Sequence, residues 1–190
     1  MGRIETVALG RTNKFIPVLS DIYDRGNISA VLRSAEGMGF GEIHLVQRGD
    51  RFRVANRVTR GADEWLDIFT WGDPSVVSSL KGRGYKVLST GFENAMSIHD
   101  VDFGQPTAFV FGNEKEGVRP DISELCDGCV YIPMHGFSQS FNISVAAALS
   151  MFTARQKINT GDEEHLKLYR GKLLLKSLTN AEQLLGALNV

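Results

Sequence analysis

Apolar residues in this chain fall into short unbroken runs that alternate with stretches at helical spacing. Phe15 to Ile22 is the first run and predicts a strand, with Pro17 tolerated near its start. Asn27 then stands as a helix N-cap, followed by Ile28, Val31, Leu32, Ala35 and Met38 at the spacing of one buried helical face. Arg33 lies on the opposite face between the small residues Ala30 and Gly37, which leave room for a close approach. Glu42 to Gln47 predicts a second strand, Ile68 to Trp71 a third, Tyr85 to Thr90 a fourth, Thr107 to Phe111 a fifth and Cys129 to Ile132 a sixth. Asp73-Pro74 predicts a helix running to about Leu80, with Pro74 at its first position, and Pro120 to Leu125 a short one. The stretch after Thr90 reads as a looser acidic segment to Phe103.

The longest pattern is Ile132 to Thr153, IPMHGFSQSFNISVAAALSMFT. A strand end passes through a polar loop into a helix that is apolar nearly all round, so the helix is expected to be buried. Ser140 and Asn142 precede it, placed to cap free backbone N–H groups or to reach a ligand. After Gln156 the pattern turns amphipathic, and the last stretch predicts one or two helices docked as a C-terminal extension or a subunit contact. Strands that are apolar throughout and alternate with helices predict an α/β fold, a mostly parallel sheet covered on both faces.

Composition narrows this little. The 190 residues are 43 % apolar, enough for one domain with a full core. A net charge of -1 does not mark a general nucleic-acid binder, so any such role must come from a local patch. One patch stands out: Arg48, Arg51, Arg53, Arg57 and Arg60 against the single acid Asp50. It suits phosphate contacts, or else a solvated face paired with Asp63, Glu64 and Asp67. The first fifteen residues lack a long apolar core and no run of eighteen apolar residues exists, so neither a secretory leader nor a membrane span is expected.

Three familiar signals fail on context. Cys126 and Cys129 form a CxxC pair without a second pair to complete a zinc site, and they sit at a helix end going into a strand instead of opening a helix. Gly37, Gly39 and Gly41 follow a helix, whereas a dinucleotide loop follows a strand. The four histidines are scattered, and only His135 lies in the loop before the apolar helix. No metal is expected.

Three polar loops at strand ends remain, and ligands of open α/β sheets gather there. NISAVLRSAEGMGF, FVFGNEKEGV and IPMHGFSQSFNISVAAA, in that order, resemble the motifs of the SpoU family of S-adenosyl-L-methionine-dependent RNA 2′-O-methyltransferases. The likeness runs from about Val18 to Lys157. Two positions depart from the pattern: Phe141 replaces a usual leucine, and Gly26 precedes Asn27 where histidine is common. A basic N-terminal helix found in some members is short or missing.

The resemblance implies a deep trefoil knot over roughly residues 90–157, within a methyltransferase domain of residues 1–157, with 158–190 as helical extension. It implies a homodimer with active sites built across the interface and S-adenosyl-L-methionine held against Thr90, Gly112, Asn113, Ile132, Met134, Gly136 and Phe141. Arg33, Asn27, Glu114, Ser140 and Asn142 would carry the chemistry, and Arg11 with the arginine cluster would hold RNA. PTAFVFGNEKEGV and the C-terminal extension are most similar to members acting on guanosine 18 of the tRNA D-loop. An rRNA-directed enzyme is the alternative. So is a catalytically silent RNA-binding protein, which would be expected to lose Arg33 or the GNE loop. A cytoplasmic protein is expected, or an organelle-matrix one if a transit peptide has been removed.

Overall fold

The structure is a computed structural model that describes residues 2–48, 59–159 and 163–188, with side chains in the last stretch described over 164–179. Seven strands form one sheet in the order β3-β2-β1-β6-β4-β7-β5, and every pairing is parallel. They are β1 (Phe15–Ser20), β2 (Glu42–Val46), β3 (Asp67–Trp71), β4 (Lys86–Thr90), β5 (Ala95–Ser97), β6 (Thr107–Phe111) and β7 (Gly128–Tyr131). Strands β1, β2 and β6 are buried at every position, which is why they lack polar alternation. The three-residue β5 is a strand that periodicity alone did not find, because its length is below what alternation can register.

Helices cover both faces. On one, α2 (Arg25–Gly37) and α5 (Ile143–Lys157) pack against each other over a core of Phe15, Phe40, Phe103, Phe109 and Met151. On the other, α3 (Ser75–Gly82) sends Val76, Val77 and Leu80 onto Ile16, Val18 and Val110, with Ile122 from the one-turn α4 (Pro120–Ser123). Helix α3 starts one residue later than its Asp-Pro signal suggests, with Asp73 Oδ1 accepting from Ser75 N at 2.8 Å.

The C-terminal helix α6 (Glu163–Leu188) packs along α1 (Arg3–Gly10) through Tyr169 and Leu173 against Ala8. Lys172 and Lys176 both reach the Asp67 carboxylate at 3.1 Å. Burial alone would raise the Asp67 pKa, but these two ammonium groups outweigh it and hold it below the usual range. The glycine pattern at 37–41 has its reason here. Gly39 sits at φ +83° where an added Cβ would lie 2.4 Å from the Gly10 carbonyl oxygen, so only glycine lets α1 approach.

Two expectations are corrected. Helix α2 is capped by Asp24, whose carboxylate accepts from Gly26 N at 2.7 Å, and not by Asn27, which sits in the first turn with its side chain free for other work. Helix α5 is not wholly buried: Val145, Leu149 and Phe152 are 45 %, 37 % and 55 % exposed. Spaced i, i+4, i+7, they form one stripe on the side facing away from the sheet.

Candidate functional site

A cavity of about 340 Å³ opens at the C-terminal ends of β4, β6 and β7. The C-terminal ends of parallel strands and the loops that follow them are the usual position of a ligand in such sheets. Its floor is apolar, with Phe109, Phe111, Ile98 and Val130, and its rim is polar.

Of the residues that the sequence singles out for a cofactor, Thr90, Gly112, Asn113, Ile132, Met134 and Phe141 line this cavity, and Glu114 and Ser140 join them. Gly136 does not. It is exposed, and an added Cβ there would meet nothing within 4 Å. Gly112 is constrained by the chain itself: a Cβ would lie 1.9 Å from the Gly117 carbonyl carbon and 2.1 Å from Val118 N. The 112–118 loop therefore folds back so tightly that no side chain fits at its first position. Gly117 N donates to Asn113 O at 3.0 Å and Gly117 takes φ +69°, closing the loop.

Asn113 is the pivot of that loop. Its Oδ1 accepts from Lys115 N and Glu116 N at 2.9 and 2.8 Å, so its amide orientation is set by two donors. That leaves Nδ2 buried on the cavity wall with no hydrogen-bond partner among the described residues. A buried, unpaired amide is costly unless a ligand acceptor meets it. The cavity's size and apolar floor, with this unpaired donor in a lining residue, fit a nucleoside-containing cofactor.

Beside the cavity, three motif segments meet in one hydrogen-bonded chain. Asn27 Nδ2 donates to Glu114 Oε1 at 2.6 Å, and Asn142 Nδ2 donates to Asn27 Oδ1 at 3.1 Å. Asn142 Oδ1 in turn accepts from Ser144 N and Ser144 Oγ, which makes it the N-cap of α5. Arg33 is exposed and has neither hydrogen bond nor ion pair among the described residues, and it does not line the cavity. Its cation remains available to a partner from outside this chain. Sequence reasoning missed Gly91, Phe92 and Gln139 on the rim. Gly91 and Phe92 directly follow a strand whose last residue was already singled out, and that position was the available signal.

The arginines divide. Arg11 is not on a surface: it is 1 % exposed, donating to Phe40 O at 3.0 Å and to Glu36 Oε1 at 2.8 Å. Arg11 is thereby corrected from RNA contact to core cation, because α1 and α6 close over it. Burial lowers its pKa, against the opposing pull of Glu36. Arg48 and Arg60 are exposed, Arg48 pairing with Asp121 at 2.8 Å. Arg51, Arg53 and Arg57 lie outside the described residues. Cys126 and Cys129 are both free thiols, and burial pushes Cys126 up to about 12, the reverse of thiolate activation. Among the described residues no group of three His, Cys, Asp or Glu is placed to hold a metal ion, and no helix is long and apolar enough to cross a membrane.

Comparison with known proteins converges on this region. A family model described as the SpoU rRNA Methylase family matches residues 14–152. The tRNA (guanosine(18)-2′-O)-methyltransferase of Thermus thermophilus is 36 % identical over 162 residues, covering 84 % of this chain and 84 % of that protein. The Escherichia coli protein of the same name is 35 % identical over 148 residues, covering 75 % of this chain. The match spans 64 % of the E. coli protein, less than two thirds of its length. In three dimensions the fold is similar to the crystal structure of an A. aeolicus TrmH/SpoU tRNA modifying enzyme. The TM-score is 0.79 at 26 % identity, covering 90 % of this chain and 92 % of that one.

Proposed function

This chain belongs to the SpoU rRNA methylase family, and on that premise we propose that it is an S-adenosyl-L-methionine-dependent RNA 2′-O-methyltransferase acting on guanosine 18 of tRNA. One observation carries the reading. The Glu114–Asn27–Asn142 chain draws the three motif loops together beside a cavity that has an unpaired donor, Asn113 Nδ2, on its wall. The likeness in name and sequence to tRNA guanosine-18 enzymes supports the choice of RNA.

Thr90, Gly112, Asn113, Ile132, Met134 and Phe141 would hold the cofactor, with Gly136 at the edge of its loop. When bound, S-adenosyl-L-methionine supplies an electrophilic methyl group. The chain's own task is to position a ribose hydroxyl and manage its proton. Arg33 suits the second part as a fixed cation, because a guanidinium stays protonated in nearly all protein settings. It would stabilise the oxygen as negative charge develops, while water takes the proton. Asn27, Glu114, Ser140 and Asn142 would orient the sugar.

The reading includes a homodimer. The exposed apolar stripe of α5, Val145, Leu149 and Phe152, supports an intersubunit face, and Arg33 standing apart from its own chain's cavity supports a site shared between subunits. It also includes a deep trefoil knot over about 90–157. A strand order that inserts β4 between β6 and β7, with α5 returning against β1 and α2, supports it. Arg48, Arg51, Arg53, Arg57 and Arg60 would hold RNA phosphates, residues 158–190 would serve as the extension, and the protein would work in the cytoplasm.

The test is methyl transfer from labelled S-adenosyl-L-methionine to unmodified tRNA and, separately, to rRNA. Transfer to tRNA alone is the expected result. Transfer to rRNA alone would move the substrate within the family. Tight RNA binding with no transfer to either would leave a silent RNA-binding protein.

A further inference from the structure

The turn between β1 and α2 is held more firmly than a surface loop requires. Asp21 takes a left-handed φ of 51°, a conformation uncommon for a non-glycine residue, which aspartate adopts more readily than most. Its surroundings are explicit. Asp21 Oδ2 accepts from Arg119 Nη1 at 2.7 Å, and Asp21 N donates to Val46 O at 2.9 Å. Arg119 is itself 11 % exposed, and its other edge binds both oxygens of Asp121 at 2.8 Å. Three residues on, Asp24 is locked as the α2 cap.

Only Ile22 and Tyr23 lie between these two anchors. Ile22 is buried in the core, and Tyr23 is 77 % exposed. With both ends of the turn fixed and the inward position taken by Ile22, the Tyr23 ring has nowhere to go but outward. A single exposed aromatic residue is unremarkable in itself. A strained, ion-paired turn that presents one is not, since such strain collects at functional sites. Two residues further is the exposed Arg25, and two beyond that is Asn27, which bonds to Glu114.

We propose that Tyr23 is a stacking platform for a nucleobase of the RNA substrate, next to the ribose being methylated. Arg119 acts as a positioning residue through Asp21. The proposal rests on the RNA-methylating reading above. An aromatic face beside an arginine is the chemistry by which proteins grip unpaired bases and their phosphates with little regard to sequence.

The test uses full-length protein and unmodified tRNA transcripts carrying 2-aminopurine in the D-loop, whose emission is quenched on stacking. Wild-type protein should bind and quench. Tyr23→Leu, which keeps bulk but loses the ring, should weaken binding about tenfold and abolish quenching. Tyr23→Phe should restore both. Arg119→Ala should lose quenching, and calorimetry should find the same S-adenosyl-L-methionine affinity in all four proteins. Wild-type quenching in Tyr23→Leu would overturn the proposal while leaving the methyltransferase reading intact, and so would a loss of cofactor affinity in that variant. A wild-type protein that binds no tRNA would overturn both.

Discussion

Asn27 Nδ2 lies 2.6 Å from Glu114 Oε1 and joins the first turn of α2 to the loop that closes after β6. The two residues are 87 positions apart in the chain, and neither is needed to complete a helix or strand. Asp24 already caps α2, so the Asn27 amide is spent entirely on this contact and on Asn142.

Asn27→Ala should therefore cost little stability, about 1 kcal/mol for lost hydrogen bonds at a solvent-accessible site. It should cost much more in rate, roughly two orders of magnitude in kcat, because Glu114 and Asn142 lose the contact that holds them in position beside the cavity. Thermal melting together with single-turnover methyl transfer separates the two. A drop in melting temperature that accounts for the whole activity loss would make Asn27 merely structural.

The two motif glycines should behave differently. Gly112→Ala drives a methyl group into the backbone of Gly117 and Val118, and should destabilise the fold by about 1–3 kcal/mol and disrupt the cavity. A Cβ added at the exposed Gly136 meets nothing within 4 Å, so Gly136→Val should fold as wild type. Any loss of cofactor affinity in it then reports the ligand's own approach. Calorimetry and melting curves on both variants check this.

How far these features were legible in sequence depends on their length and range. The parallel sheet was readable because β1, β2 and β6 are buried on both faces and so appear as unbroken apolar runs. Strand β5 was not, since three residues carry no periodicity. Helix α5 looked buried throughout because Val145, Leu149 and Phe152 are as apolar as Ala147 and Met151. Residue type says that a face avoids water without saying whether its cover comes from the same chain. The burial of Arg11 is illegible in the sequence for a related reason. Its burial depends on a helix more than 150 residues later, with His165 of α6 bonding to the Arg11 carbonyl.

Arg11 and the surface arginines should separate in a single pair of assays. Arg11→Ala leaves a buried acceptor and Glu36 without their cation, and should cost roughly 3 kcal/mol of stability. Neutralising Arg48 and Arg60 should leave the melting temperature nearly unchanged but flatten the salt dependence of tRNA binding. Each lost phosphate contact should reduce the log–log slope by about 0.7–0.9. An unaltered slope would return these residues to a solvated face.

Acid should unfold the protein partly through Glu42. Burial alone would raise its pKa, but hydrogen bonds from His44 at 2.7 Å and from Arg83 outweigh that and hold it at about 2. A folded pKa below the unfolded one means the stabilisation is complete above the ordinary carboxylate pKa of 4.5 and disappears as pH falls toward 2. The contribution is about 3 kcal/mol at most, less whatever solvent screening removes at the half-exposed Arg83. Glu42→Gln should lower stability at pH 7 and shrink the difference in melting temperature between pH 7 and pH 3. An unchanged difference would show that Glu42 titrates normally in the fold.

The most direct measurement identifies the methylated atom. Unmodified tRNA is incubated with the protein and labelled S-adenosyl-L-methionine, digested to nucleosides and analysed by mass spectrometry, with the position mapped by nuclease fragments. The account predicts label in 2′-O-methylguanosine from position 18, abolished by Arg33→Ala and partly restored by Arg33→Lys, because a cation remains. Label on a base, with none on ribose, would contradict it.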